Sequence, residues 1–255
     1  MALLETHFDS QVLDLSLGMN VILPEHPDAW TEPPAVLYLL HGLSDDHTIW
    51  SRRTSIERYA ADYPLVIVMP DVYKSFYCDM EHGSNYWKFV SEELPMLVER
   101  WFNVSSDSAK TFVAGLSMGG YGAMKLALGR PERFAAAASL SGALDITAHT
   151  DDEFDESRSR TFEAIFGDLS NIPESKNDLI SQLGKIKASP KTKFYACCGT
   201  EDYLYQDSIA FRDAALTAGL RLTYEESDGD HDWRYWDTQI QRVLEWLPLK
   251  KLEWE

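Results

Sequence analysis

Basic residues are scarce in this chain. Lys and Arg number 23 against 41 Asp and Glu in 255 residues, a formal charge of 23 − 41 = −18. A field of that sign repels phosphate backbones and anionic lipid, which excludes nucleic-acid binding and membrane-surface docking as principal roles. Cysteine is scarcer still: Cys78, Cys197 and Cys198 are the only three. No C-x-x-C spacing occurs, so neither a zinc motif nor a disulfide framework is expected, and a reducing cytoplasmic compartment is the default. The adjacent Cys197 and Cys198 read as buried strand filler. No apolar run approaches the roughly 18 residues of a membrane-spanning helix. The opening MALLETHFDS lacks a basic region and a long apolar stretch, so no signal peptide is expected. Internal repeats and low-complexity segments are absent as well.

What is present is an alternation of two periods. Short continuous apolar runs at 35–40 (AVLYLL), 65–69 (LVIVM), 111–115 (TFVAG), 134–140 (FAAAASL) and 193–198 (KFYACC) predict strands covered on both faces. Residues 17–23 predict a strand with 11–16 (QVLDLS) as its hairpin partner, and 221–225 a weaker one. Between them, 85–102, 118–129, 206–218 and 235–247 carry apolar residues at helical spacing. Pro95 is expected to kink or restart the first of these helices. Strand–helix alternation with buried strands implies an α/β fold, a mainly parallel twisted sheet wrapped by helices on both faces.

Residues 145–190 break the alternation. They are polar, with two weak helical patches, and too long for a plain connector. They read as a cap over the C-terminal edge of the sheet. The acidic cluster Asp151, Asp152, Glu153, Asp155 and Glu156 reads as a solvated face, because its spacing matches no calcium loop.

The stretch 111-TFVAGLSMGGYGAMKLAL-128 contains G-x-S-x-G at Gly115, Ser117 and Gly119. An apolar strand leads in and a helix leads out, the setting of a nucleophile elbow. The bend would expose the Ser117 hydroxyl above the sheet, and the helix N-terminus beginning near Met118 would favour a developing oxyanion there. A serine needs a base. In folds with this elbow the partners follow in the order Ser, acid, His. Only His149 and His231 follow Ser117. His149 falls too soon and within the polar segment. His231, in 227-SDGDHDWRYW-236, sits between the last strand and the last helix and is the expected base. For the acid, 199-GTEDYLY-205 offers Glu201 and Asp202, with Asp207 a turn further on. Asp202 is preferred for its place over the strand tip, although it could also cap the next helix. In 39-LLHGLSDDHTIW-50, His41 and Gly42 stand at a strand end where they are expected to meet substrate, and the N–H of Leu43 is the expected second oxyanion donor. The loop 70-PDVYKSFYCDMEHGSNYW-87 is rich in rings. Among Tyr73, Phe76, Tyr77, Tyr86 and Trp87, some would line a substrate pocket or else pack the cap.

Together these residues resemble the esterase D and S-formylglutathione hydrolase branch of the α/β-hydrolases, with bacterial tributyrin (acetyl) esterases the nearest likeness. The resemblance is carried by LLHGL at 39–43, SFY and YW in the aromatic loop, EELP at 92–95, GLSMGGYGA at 115–123, CGTEDYLY at 198–205 and GDHDWRYWD at 229–237. It implies a single α/β-hydrolase domain over 1–255, with Ser117 as nucleophile, Asp202 and His231 as its partners, and Leu43 and Met118 as oxyanion donors. It further implies no cofactor and commonly a homo-oligomer. The expected function is a serine carboxylesterase acting on small, neutral, short-chain acyl esters. The stretch HGLSDDHTIW departs from formylglutathione hydrolases proper. S-formylglutathione, feruloyl esters, acyl transfer to an alcohol, and a non-catalytic binding module are the other readings.

Overall fold

The computed structural model describes residues 1–149, 156–185 and 191–253. Eight strands form one sheet: β1 (Ala2–Ser10), β2 (Leu15–Leu23), β3 (Ala35–Leu40), β4 (Leu65–Pro70), β5 (Thr111–Leu116), β6 (Ala136–Leu140), β7 (Lys193–Gly199) and β8 (Leu222–Ser227). Their order is β1-β2-β4-β3-β5-β6-β7-β8. Strand β2 is antiparallel to both its neighbours, and β3 to β8 are parallel. This is the mainly parallel α/β sheet that the alternation predicted, with antiparallel strands at one edge.

The helices are α1 (Ile49–Arg53), α2 (Ile56–Ala60), α3 (Tyr86–Lys88), α4 (Leu94–Phe102), α5 (Met118–Gly129), α6 (Glu156–Phe166), α7 (Leu179–Gly184), α8 (Tyr205–Thr217) and α9 (Trp233–Trp246). Because strand side chains alternate, each central strand feeds two cores. Val36, Tyr38, Leu40 and Val113 join Tyr121 and Met124 of α5 and Phe211 of α8 on one face. Leu37, Leu39, Phe112 and Ala114 join Trp50 of α1, Ile56 of α2 and Ile240 and Val243 of α9 on the other. Both sheet faces are therefore dry, which is why the strands read as unbroken apolar runs.

One expectation changes. The partner of β2 is not 11–16 but Ala2–Ser10, and residues 11–14 form the turn. The buried Glu93 carboxylate holds that turn: it accepts the Ser10 hydroxyl and the N–H groups of Gln11, at 2.7 Å, and Val12, at 3.4 Å. The segment 85–102 restarts next to Pro95, as expected: α4 begins at Leu94 with the proline in its first turn. A π-helical turn at Phe89–Glu93 joins α3 to α4, so the wider turn lies just before the proline that cannot donate. The short helices α1 and α2, after β3, carried too few apolar positions to be read.

Of the 145–190 segment, α6 and α7 are the two weak patches. Leu179 and Leu183 of α7 are buried in the core with α8, away from any cap. Residues 151–155 of the acidic cluster lie outside the described residues. Among the described residues no helix is long and apolar enough to cross a membrane, and no group of side chains could hold a metal ion. Cys197 and Cys198 are buried in β7 as expected.

Gly115 and Gly119 make the crossing of β5 and α5 geometrically possible. A Cβ on Gly115 would collide with the Gly119 carbonyl. One on Gly119 would stand 2.5 Å from Leu40 O and 2.8 Å from His41 O. Those are backbone atoms, which cannot swing aside. Gly119→Ala should therefore destabilise the fold by roughly 1–3 kcal/mol or more and displace Ser117. An unchanged thermal melt would contradict this packing.

Candidate active site

Three loops at the C-terminal ends of parallel strands converge. Ser117 occupies the bend between β5 and α5 with φ 51° and ψ −118°. Left-handed φ in a non-glycine residue is strained. Here it is held by three backbone bonds: the Ser117 N–H donates to Leu140 O at 3.0 Å, and the Ser117 carbonyl accepts the N–H of Tyr121 at 3.1 Å and of Ala143 at 3.3 Å. The Ser117 Oγ lies 3.0 Å from His231 Nε2. The other ring nitrogen, Nδ1, lies 2.9 and 3.0 Å from the two carboxylate oxygens of Asp202. An acceptor carboxylate on Nδ1 keeps the proton there and leaves the Nε2 lone pair for the serine hydroxyl.

Each partner is fixed in turn. Asp202, three residues beyond the end of β7, has a fully buried side chain. Burial alone would raise its carboxyl. Hydrogen bonds from His231, the Leu204 N–H and Ser141 outweigh that and hold it below the usual carboxylate range. The bond from Leu204 N–H to Oδ1, at 2.8 Å, ties Asp202 to the turn entering α8; it does not cap that helix, whose N-cap is Leu204 with no side-chain bond. Ser141 is itself buried at φ 48° and accepts from Trp236 Nε1 at 3.1 Å. The Trp236 ring meets the His231 ring edge-on at 4.9 Å, and Tyr203 lies at 4.5 Å. Glu201, the runner-up acid, instead accepts the Gly229 N–H at 2.7 Å. With the bonds Thr200 N to Ser227 O and Glu201 N to Gly229 O, it laces the Asp202 and His231 loops together.

The cavity over Ser117 has a volume of about 650 Å³. Gly42, Leu43, Phe76, Phe162, Trp233 and Trp236 contribute to its wall. Among the described residues the N–H groups of Leu43 and Met118 have no backbone acceptor, and both flank the elbow. The Asp45 N–H closes the turn onto Gly42 O at 3.2 Å. The N-terminus of α5 adds its partial positive charge at the same place.

Of the residues expected to meet substrate, Gly42 and Phe76 line the cavity and three do not. The buried His41 ring is committed on both sides: Nε2 accepts the Val72 N–H at 3.0 Å and Nδ1 bonds Gly42 O at 2.8 Å. It braces the two loops from behind. Tyr77 is fully buried, its ring against Gly122 and its hydroxyl donating to His41 O at 3.0 Å. Trp87 covers Gly129 and lies near the Lys125 amine, outside the cavity. The loop composition could not separate rings facing outward from rings facing the core.

Several cavity residues were not anticipated. His149 lines the wall, with its Nε2 2.9 and 3.0 Å from the Asp207 carboxylate oxygens rather than near Ser117. Arg158 and Phe162 of α6 reach the cavity, as do Tyr203 and Trp233. The aromatic run 233-WRYW-236 after the base carried a signal for two of them, since helix spacing puts Trp233 and Trp236 on one face. The polar composition around Arg158 carried none.

Comparison with known proteins follows the same lines. The family model described as "Putative esterase" matches residues 10–247. An acetyl esterase of Caldicellulosiruptor saccharolyticus is 30% identical over 261 residues, covering 97% of this chain and 98% of that protein. Among solved structures, the Staphylococcus aureus fluorophosphonate-binding serine hydrolase FphF, substrate bound, superposes with TM-score 0.89 at 35% identity. It covers 96% of this chain and 98% of its own. The S. aureus S-formylglutathione hydrolase FrmB superposes with TM-score 0.86 at 34% identity and the same coverage.

Proposed function

The chain belongs to the esterase family and is a carboxylic ester hydrolase, and on that footing we propose that it cleaves short-chain acyl esters through Ser117, His231 and Asp202. The observation that carries this reading is the unbroken chain of contacts Ser117 Oγ–His231 Nε2 and His231 Nδ1–Asp202, at 3.0 and 2.9 Å. His231 takes the hydroxyl proton as Oγ attacks the ester carbonyl. The tetrahedral oxyanion sits between the N–H groups of Leu43 and Met118, at the positive end of α5. His231 then gives its proton to the departing alkoxide. Water enters, His231 removes its proton, and the acid leaves with Ser117 restored. Asp202 keeps the ring oriented and stabilises the imidazolium throughout. No step requires a cofactor.

The short-chain preference is supported by the aromatic wall. Phe76 packs edge-on against Phe162 at 5.3 Å and Phe166 at 5.8 Å, and Tyr121 backs it at 5.6 Å. We read 145–190 as an insertion in a single domain, of which α6 closes this side. In a panel of p-nitrophenyl esters, kcat/KM should fall about tenfold or more from acetyl or butyryl to octanoyl. An octanoyl preference would refute the closed wall. A second reading rests on the likeness to FrmB: if S-formylglutathione were turned over far faster than any acetyl ester, the thioester would replace the oxygen ester as substrate.

A further inference from the structure

Cys78 and Lys125 meet behind the cavity wall. Cys78 follows Phe76 by two residues in the aromatic loop, and Lys125 lies on α5, about two turns beyond Ser117. Both are buried, at 1% and 5% exposure. The Lys125 Nζ donates to Cys78 Sγ at 2.7 Å and to Asn177 Oδ1 at 2.8 Å. Trp87 and Tyr121 present their rings to Nζ at 5.4 and 5.5 Å, and the Tyr121 hydroxyl donates to Asn177 O. Among the described residues no carboxylate pairs with this amine. Burial drives Lys125 below its ordinary pKa. A buried lysine whose hydrogen-bond acceptors are a thiol and one amide oxygen is costly as packing. As a reactive pair it is well placed.

We propose that Cys78 and Lys125 are a modification site, joined by a reversible covalent cross-link when the protein meets hydrogen peroxide. The Cys78 sulfur attacks a peroxide oxygen. An S–O bond forms and the O–O bond breaks. The departing hydroxide leaves as water with the thiol proton, giving a sulfenic acid. The Lys125 nitrogen then attacks that sulfur. An S–N bond forms, the S–O bond breaks, and the hydroxide leaves as a second water with an amine proton. Thiol, amine and one peroxide thus give a sulfenamide and two waters; the sulfur loses two electrons and the peroxide gains them. Attack needs only a turn about the Cε–Nζ bond to bring the lone pair onto sulfur, because productive geometries bring reacting atoms to about 3–3.5 Å and Nζ already lies at 2.7 Å. Phe76, two residues before Cys78, lines the cavity, so the wall between solvent and the pair is one side chain of this loop. The other two thiols have no such partner; burial pushes Cys198 up to about 12 and Cys197 higher. The cross-link would fasten the loop bearing Phe76 to the helix that follows Ser117.

The test is to treat the intact protein with hydrogen peroxide, digest it without reductant and map the peptides by mass spectrometry. The expected product joins the peptides holding residues 78 and 125 and is lighter than their sum by two hydrogens. It should vanish with dithiothreitol and be absent from Cys78→Ser and Lys125→Arg protein. A joined pair heavier by one oxygen would also support the site, with a further oxidising equivalent consumed. Two results would overturn it: Cys78 as sulfinic or sulfonic acid beside an unmodified Lys125, or Cys78 untouched under conditions that oxidise the exposed Met96. If Lys125→Arg fails to fold, the map of the unsubstituted protein still decides.

Discussion

Replacing Ser117 with Ala should lower kcat on p-nitrophenyl acetate by about 10⁵–10⁶-fold. In the proposed mechanism the Ser117 hydroxyl oxygen enters the acyl-enzyme, and among the described residues no other nucleophile stands against His231 Nε2. The fold should survive, because the bonds that hold the strained bend come from the Ser117 backbone and not from Oγ. Alanine meets the same left-handed conformation at a cost similar to that of serine. Steady-state kinetics beside a far-ultraviolet spectrum check both halves. Near-normal turnover in a natively folded variant would be incompatible with the proposed mechanism. Labelling by a fluorophosphonate probe should disappear with the hydroxyl.

Asp202→Asn should reduce kcat by about 10⁴-fold with little change in fold. An amide presents a donor where Nδ1–H needs an acceptor, which favours the wrong tautomer and turns the base away. Asp207→Asn is the informative companion. Asp207 is also a buried aspartate beside a histidine, but it bonds His149, so its replacement should leave kcat far nearer the original. Equal losses in the two variants would sink the assignment of Asp202. The two carboxyls also differ in pH linkage. Asp202 is held below its ordinary pKa, so its stabilising contribution is present above the unfolded value and is lost as pH falls through the lower folded value. Denaturant melts of the original protein and Asp202→Asn should therefore lie furthest apart near neutrality and converge in acid.

Much of this was legible in the sequence, for identifiable reasons. Strands buried on both faces leave unbroken apolar runs, so β3 to β7 were readable within a residue or two. The elbow was readable because close backbone approach admits only glycine at 115 and 119. His231 emerged from chain order. What escaped reading depended on tertiary placement. Residues 2–10 alternate, yet only the clasp by Glu93 shows that the turn falls at 11–14. His41, Tyr77 and Trp87 stand in the right loops, but their rings turn to the core, and loop composition is blind to direction. The pairing of His149 with Asp207 joins residues 58 positions apart with no local signal at either end.

His231, the proposed base, follows the outermost parallel strand, while Ser117, the proposed nucleophile, follows a central one. Strand β8 has a neighbour on one side only, and its residues are half exposed. Ser117 is surrounded by sheet and helix. Edge strands open locally at lower free energy than central ones. A brief fraying at that margin would part the imidazole from a hydroxyl that has not moved. Competence and folding would then be separable in this molecule, and a spectrum of native shape would not by itself certify a working site.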